Sequence, residues 1–266
     1  MIAAPAGAVP TVLVKGEILG ERDGCIVRGV AGAGRPLVGA ALSALEAAGN
    51  FCLDPASRFR GPPSKLPTHT KPSLTRVGIA SAVVASGNRP LGAAELDLVL
   101  SRANVRFPVM VKPARGSKGD GVHRCDTMAE LLASVSTVRH NDMIIQNFVQ
   151  IGAEYRAVTL NGRLLGVAEK LADPDTIVRN AATGALFEAA SARDVQKIRQ
   201  YLAGIPGRRG LVGWDIALTG REPTGEDRYL VIERNSTPQW HAFQAATGID
   251  VAAQVMDEFV AHVKRS

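Results

Sequence analysis

Residues 229–240 read YLVIERNSTPQW. The opening run, 229–232, is apolar and β-prone and predicts a buried strand. At its end the pattern turns polar with Glu233, Arg234 and Asn235. Side chains alternate faces along a strand, so Glu233 and Asn235 share one face and Arg234 takes the other. A carboxylate and an amide oxygen side by side at a strand end make an oxygen-only half-site for Mg²⁺. Asp215, in GWDIALT (213–219), follows another apolar run and offers a third oxygen. Taken alone, the three residues read equally well as solvated strand ends and a turn former. The rest of the chain bears on the choice.

Upstream, FPVMVK (107–112) predicts an apolar strand ending in Lys112, and ARGSKGDGV (114–122) follows Pro113. Gly116, Gly119 and Gly121, with Ser117 between them, make a loop whose backbone N–H groups can close over phosphates. A β-hairpin with a mobile tip is the competing reading of that loop. Lys65, in SKLPTH, stands ahead of a short predicted helix and by itself reads as a solvated charge. MIIQNFV (143–149) predicts a strand interrupted by Gln146 and Asn147. Buried amides need partners; an adenine edge and a core hydrogen bond both qualify. Residues 155–160 and 163–169 predict a hairpin about Asn161-Gly162, with Arg156 on its first arm and Lys170 just past its second.

The remaining segments predict scaffold. A strand at 11–14 precedes the glycine-rich turn GVAGAG (29–34), which fits neither GxGxxG nor a phosphate loop ending in Lys-Ser/Thr. A helical stripe from Leu37 to Ala48 ends at Gly49-Asn50, and 51–53 reads as a short strand. The proline-rich, basic stretch 54–72 reads as a linker or surface loop. A strand region at 77–85 and a short helix at 95–99 follow. Thr127 and Glu130 form a capping box ahead of a helix. Residues 171–190 read as a polar loop with Arg179-Asn180 in its middle, and Val195, Ile198, Tyr201 and Leu202 line one helix face. A last helix begins near Asp250.

The 266 residues, 46% apolar and 21% charged, suit one or two globular domains. Three scattered cysteines argue for a reducing compartment and against a disulfide framework or zinc site. No apolar run reaches the length of a membrane span, and no basic segment precedes the first apolar run. The expected location is therefore cytoplasmic. The net charge of +6 favours anionic partners. The basic residues are dispersed and aromatics are only 5%, so nucleic acid is not among the expected partners.

In order along the chain, these pieces resemble the ATP-grasp ligases, and within them the RimK-like branch that adds glutamate to proteins or coenzymes. SKLPTHTKPSLTRVGIASA (64–82) is similar to that family's lysine-led helix. FPVMVKPARGSKGDGV (107–122) resembles its second lysine strand and glycine loop. IIQNFVQIGAEYRAVTLNGRLLGVAEK (144–170) resembles its adenine hinge and hairpin, and TIVRNAATG (176–184) its Arg-x-Asn-like loop. GWDIALT and YLVIERNSTP match its metal strands, and HAFQAATGIDVAAQVMDEFV (241–260) its ending.

The resemblance implies an α+β fold of two lobes with ATP between them. It divides the chain into a shortened N-terminal α/β segment (1–62), a first lobe with the glycine loop (63–145) and a second with the metal site (146–266). It places Lys65, Lys112, Gly116, Ser117, Gly119 and Gly121 on the phosphates. Gln146, Asn147, Phe148 and Val149 fall at the base, and Glu154, Arg156, Lys170 and Asn180 elsewhere around the nucleotide. Asp215, Glu233 and Asn235 are the implied ligands of Mg²⁺, with Mn²⁺ as an alternative ion, and Arg179 and Lys112 are the implied catalytic residues. The implied reaction joins a carboxylate to an amine through an acyl phosphate. A catalytically degenerate nucleotide-binding partner and a phosphotransferase stand as alternatives. The expected partners are a small-molecule or peptide carboxylate and an amino acid, with no membrane; a homo-oligomer is left open. The chain departs from the pattern at Asn147, where the family often has Glu, and at Arg234, Gln239 and Trp240. Its short N-terminal segment implies a pocket reduced or completed by a second subunit.

Overall fold

A computed structural model describes residues 2–3, 11–14, 17–18, 24–28, 34–59, 61, 64–85, 91–116, 120–137, 142–171, 186–206 and 209–264. The N-terminal segment contributes β1 (Ile2–Ala3), β2 (Thr11–Val14) and β3 (Glu17–Ile18) as a small sheet, then β4 (Gly24–Ile26), α1 (Arg35–Ala47) and β5 (Phe51–Leu53). Strands β4 and β5 pair in parallel across α1. Two short helices follow, α2 (Leu66–Thr70) and α3 (Pro72–Thr75), then β6 (Ser81–Val84) and α4 (Ala93–Arg102).

Next come β7 (Val109–Pro113), β8 (His123–Cys125), α5 (Met128–Thr137) and β9 (Met143–Asn147). These build an antiparallel sheet in the order β6-β9-β7-β8. Its core joins Val109, Val111 and Ile145 to Leu96 and Leu100 of α4 and Leu131 of α5. Thr127 Oγ1 accepts from the Glu130 N–H, so the predicted Thr127 cap stands, while the Glu130 carboxylate accepts from the Asp126 N–H, one residue before the N–H a capping box would use.

The second sheet contains β10 (Ala153–Leu160), β11 (Arg163–Leu171), β12 (Leu186–Ala189), β13 (Leu211–Arg221) and β14 (Asp227–Asn235), in the order β12-β11-β10-β13-β14. The β10–β11 hairpin turns at Asn161 (φ 48°) and Gly162 (φ 87°), the positive-φ pair that a tight two-residue turn demands. Helix α6 (Ala192–Ala203) covers one face, packing Ile198 and Leu202 on Trp214, Ile216 and Val231. Helices α7 (His241–Thr247) and α8 (Val251–Val263) cover the other, packing Phe243, Val251 and Val255 on Val158, Leu160 and Ala168. With both faces buried, the first seven residues of β13 are all buried, and the apolar residues run on without alternating.

Three expectations need correction. Residues 54–72 are not a linker: Asp54 is fully buried, residues 56–58 form a 3₁₀ turn, and α2 follows Lys65 directly. Residues 171–190 are not loop throughout, because β11 reaches Leu171 and β12 adds an edge strand. The strand predicted at 143–149 ends at Asn147. The turn at 29–33 lies outside the described residues.

Candidate active site

Lys112 is the penultimate residue of β7 and is almost fully buried. Burial draws its ammonium pKa down to about 8, with Glu233 opposing, Lys65 assisting and Asp215 opposing. One sheet's strand end is thus in electrostatic contact with the strands of the other. Lys65 caps α2, receives a fixed position from its N–H bond to the Ala114 carbonyl (2.8 Å), and sends Nζ to the Gly116 carbonyl (3.2 Å). Gly116 (φ 127°) and Gly121 (φ 69°) sit in backbone regions closed to most side chains. Ser117 and Gly119 lie outside the described residues, as do Arg179 and Asn180.

Asp215 and Glu233 are register partners on β13 and β14, and Gly213 pairs with Asn235. Asp215 also faces Arg156 across the β10–β13 ladder. Its carboxylate accepts from Arg156 Nε and Nη2 (2.8 and 3.1 Å) and from Asn235 Nδ2 (3.1 Å), and Lys170 Nζ lies 2.6 Å away. Burial pushes the Asp215 carboxyl up, but Arg156 and Lys170 together outweigh it and hold the pKa below its usual range. Lys170 also bonds the buried Glu154 at 2.5 Å. Burial and then Asp215 push Glu233 the other way, upward, against Lys65, Lys112 and Arg156.

Arg156 and Lys170 pair closely with Asp215 and Glu154, whereas Glu233 forms no ion pair among the described residues and has Lys65, Lys112 and Arg156 as more distant opposing charges. Among the described residues no three of His, Cys, Asp and Glu form a metal-holding group; the candidate set is two carboxylates and an amide. Those donors fit a hard cation at the Glu233 end, where two acids on adjacent strands raise each other's cost of ionising. Asp215 differs from the expectation in already being engaged by Arg156, Lys170 and the Asn235 amide nitrogen.

The residues expected at the base divide. Gln146 is buried between β6 and β7, and its Oε1 has no hydrogen-bond partner among the described residues. Asn147 instead uses its side chain inside the fold, accepting from the Arg106 N–H at 2.8 Å. The Phe148 N–H donates to the Pro108 carbonyl, and the ring lies under Arg124 at 4.4 Å. Val149 is half-buried beyond the strand end.

Sequence reading missed His69 and Thr68. His69 is buried on α2, four residues after Lys65 and so on the same helix face; that spacing was the available signal. Its Nδ1 bonds Ser81 Oγ (2.9 Å). Thr68 Oγ1 accepts from the Arg234 N–H at 3.2 Å and ties α2 to β14.

Comparison with known proteins bears on the family and the fold. The family model described as RimK-like ATP-grasp domain matches residues 91–259. A probable alpha-L-glutamate ligase of Aeromonas salmonicida (strain A449) is 27% identical over 154 residues, 56% of this chain and 50% of that protein. The chain thus matches half the length of that relative. Among solved structures, the D-alanine–D-alanine ligase of Bacillus anthracis complexed with ATP aligns with TM-score 0.61 and 17% identity over 91% of this chain and 79% of its own. The ATP-grasp ligase PsnB complexed with a minimal precursor, Mg and ADP aligns with TM-score 0.57 and 15% identity, covering 91% and 78%. At these identities the likeness is one of fold.

Proposed function

The chain belongs to the RimK-like ATP-grasp family, and on that premise we propose that it joins a carboxylate to an amine with ATP as the energy source. The observation that carries the reading is that α2, which Lys65 opens, is tied to β14, which holds Glu233, by the Arg234 N–H bond to Thr68 Oγ1, while Lys65 Nζ bonds the loop that follows Lys112. Two lysines and a carboxylate pair brought together from these elements suit a nucleoside triphosphate with its divalent cation. The relatives named alpha-L-glutamate ligases make glutamate the first amino acid to test.

In this proposal Lys65 and Lys112 take the phosphate oxygens, and the loop containing Gly116 and Gly121 closes over them to exclude water. Gln146, with its unpartnered oxygen, accepts from the adenine amino group. Mg²⁺, held by Asp215, Glu233 and Asn235, neutralises phosphate charge when bound. A carboxylate oxygen of the substrate attacks the γ-phosphorus and ADP leaves; the amine nitrogen then attacks the acyl carbon and phosphate leaves. Arg179 and Asn180 are assigned to the transferred phosphoryl group on their motif alone.

The test is ADP release from Mg-ATP across a grid of carboxylates and amines, with mass spectrometry of active wells. ADP that requires both substrates, with a product one water lighter than their sum, is the expected result. A stable phosphate ester would make the chain a phosphotransferase. Tight Mg-ATP binding without ADP from any pair or from a cell extract would leave a binding protein.

A further inference from the structure

A cavity of 360 Å³ is lined by five cations: Arg35, Arg58, Lys71, Arg209 and Arg234. No acid lines it. Two of the five are structural. Arg35 donates to the carbonyls of Gly61 and Arg58. Arg58 is held by Asp54 and by the carbonyls of Leu211 and Ser236. Asp54 is itself fully buried and covered by Arg28 and Arg58.

Arg234 is different. It points to the face of β14 opposite Glu233, lies over the Trp214 ring at 5.7 Å, and makes no side-chain hydrogen bond among the described residues. A half-buried guanidinium without an acceptor is costly unless something supplies one. Lys71, at the junction of α2 and α3, is exposed and likewise makes no side-chain hydrogen bond among the described residues. The volume falls in the range of small-ligand sites, and an arginine fork with a nearby ammonium matches carboxylates.

We propose that this cavity binds a small polycarboxylate, the acidic and non-reacting part of a substrate. Calling the ligand a substrate rests on the ligase reading; its binding does not. Both walls come from segments that also supply the candidate active site. Ser64, Pro67 and Lys71 surround Lys65 in the chain, and Arg234 and Ser236 flank Glu233 and Asn235. The cavity's lining thus adjoins the proposed active-site residues in sequence, with Arg234 on the face of β14 opposite the metal ligands.

The test is calorimetric titration of the full chain with citrate, succinate, inorganic phosphate and acetate, alone and with saturating Mg²⁺ and a non-hydrolysable ATP analogue. Citrate is expected to bind in both conditions, more tightly than acetate. Lys71→Gln and Arg234→Gln should each weaken it about tenfold or more, the scale of one charged hydrogen bond, and leave affinity for the analogue unchanged. Lys71→Gln, on an exposed side chain, keeps the test valid if Arg234→Gln does not fold. No binding by citrate or succinate, unchanged citrate affinity in the variants, or displacement of citrate by the analogue would each overturn the proposal. Phosphate binding more tightly than citrate would overturn the carboxylate assignment. Failure of the ligase reading would appear separately, as absent ADP release with citrate binding intact.

Discussion

Arg156 and Asp215 stand directly opposite each other on β10 and β13, joined by two hydrogen bonds of 2.8 and 3.1 Å. Lys170 adds a second cation to the same carboxylate. Asp215 is thus a structural counter-ion as well as a proposed metal ligand, whereas Glu233 carries acid that the fold does not need. Asp215→Ala should destabilise the protein by about 3–5 kcal/mol, the range for removing one partner of a buried ion pair. Glu233→Gln should leave stability unchanged or raised. Urea denaturation of both variants decides; equal losses would remove the distinction.

Glu233→Gln keeps the size of the side chain and removes one charge from the proposed metal site. Turnover should fall by about a hundredfold or more, the scale of a single preorganised electrostatic contact. Wild-type-like ADP release in the variant would sink the metal assignment.

Gly213 pairs with Asn235, and a methyl group there would lie 2.7 Å from Cβ of Pro238. The proline ring cannot rotate away, so the chain carrying Asn235 must shift. Overpacking of this kind costs about 1–3 kcal/mol. Gly166→Ala meets Ile249 Cδ1 at 2.4 Å, but that atom ends a side chain that can change rotamer. Gly213→Ala should therefore lose more stability and also weaken Mg-ATP binding, while Gly166→Ala keeps the nucleotide affinity. Similar nucleotide binding in the two variants would refute the coupling.

The elements legible in the sequence were those with a repeating pattern or strong local chemistry: the apolar runs of β7, β13 and β14, the Asn161-Gly162 turn, and the Thr127 cap. Motif order carried the fold beyond what periodicity could. The stretch 54–72 was misread because its 3₁₀ turn and α2 are only three and five residues long, too short for a periodic face. Its key contacts also reach residues such as Leu211 and Ser236, far along the chain. Strand β12 was hidden by its edge position, where three of its four residues are exposed and no alternation is imposed. Asn147 reads the same in sequence whether its amide meets a base or the Arg106 N–H.

His69 donates from Nδ1 to Ser81 Oγ, because that hydroxyl gives its own proton to the Ile79 carbonyl at 2.6 Å. Burial, then Lys112 and Lys65, draw the imidazole pKa from 6.5 down to about 3. Above pH 6.5 the group is neutral folded and unfolded, and contributes no pH dependence. Between 6.5 and about 3 the unfolded chain binds a proton that the folded one does not. Stability attributable to His69 should therefore fall with falling pH, by up to about 1.4 kcal/mol per unit. His69→Asn retains a donor toward Ser81 without titrating, and should show a shallower decline in urea melts from pH 7 to 4. Identical slopes would remove His69 from the account.

Asp54 holds Arg28 at 2.6 Å and Arg58 at 2.9 Å within the N-terminal segment and accepts from the Leu211 N–H of the second sheet at 2.9 Å. Arg58 continues the link to the Leu211 and Ser236 carbonyls, next to Asn235. Burial lowers its pKa to about 10, with Asp54 the main opposing influence. Asp54→Asn leaves that guanidinium buried without its counter-charge and should cost about 3–5 kcal/mol. Arg58→Met leaves the buried carboxylate with Arg28 as its remaining cation. Removing both removes the Asp54–Arg58 pair as a unit, so the double variant should lose clearly less than the sum of the single losses. A double-mutant cycle in urea measures this coupling. Strict additivity would mean that Asp54 and Arg58 act independently, each through its backbone contacts to Leu211 rather than as a pair.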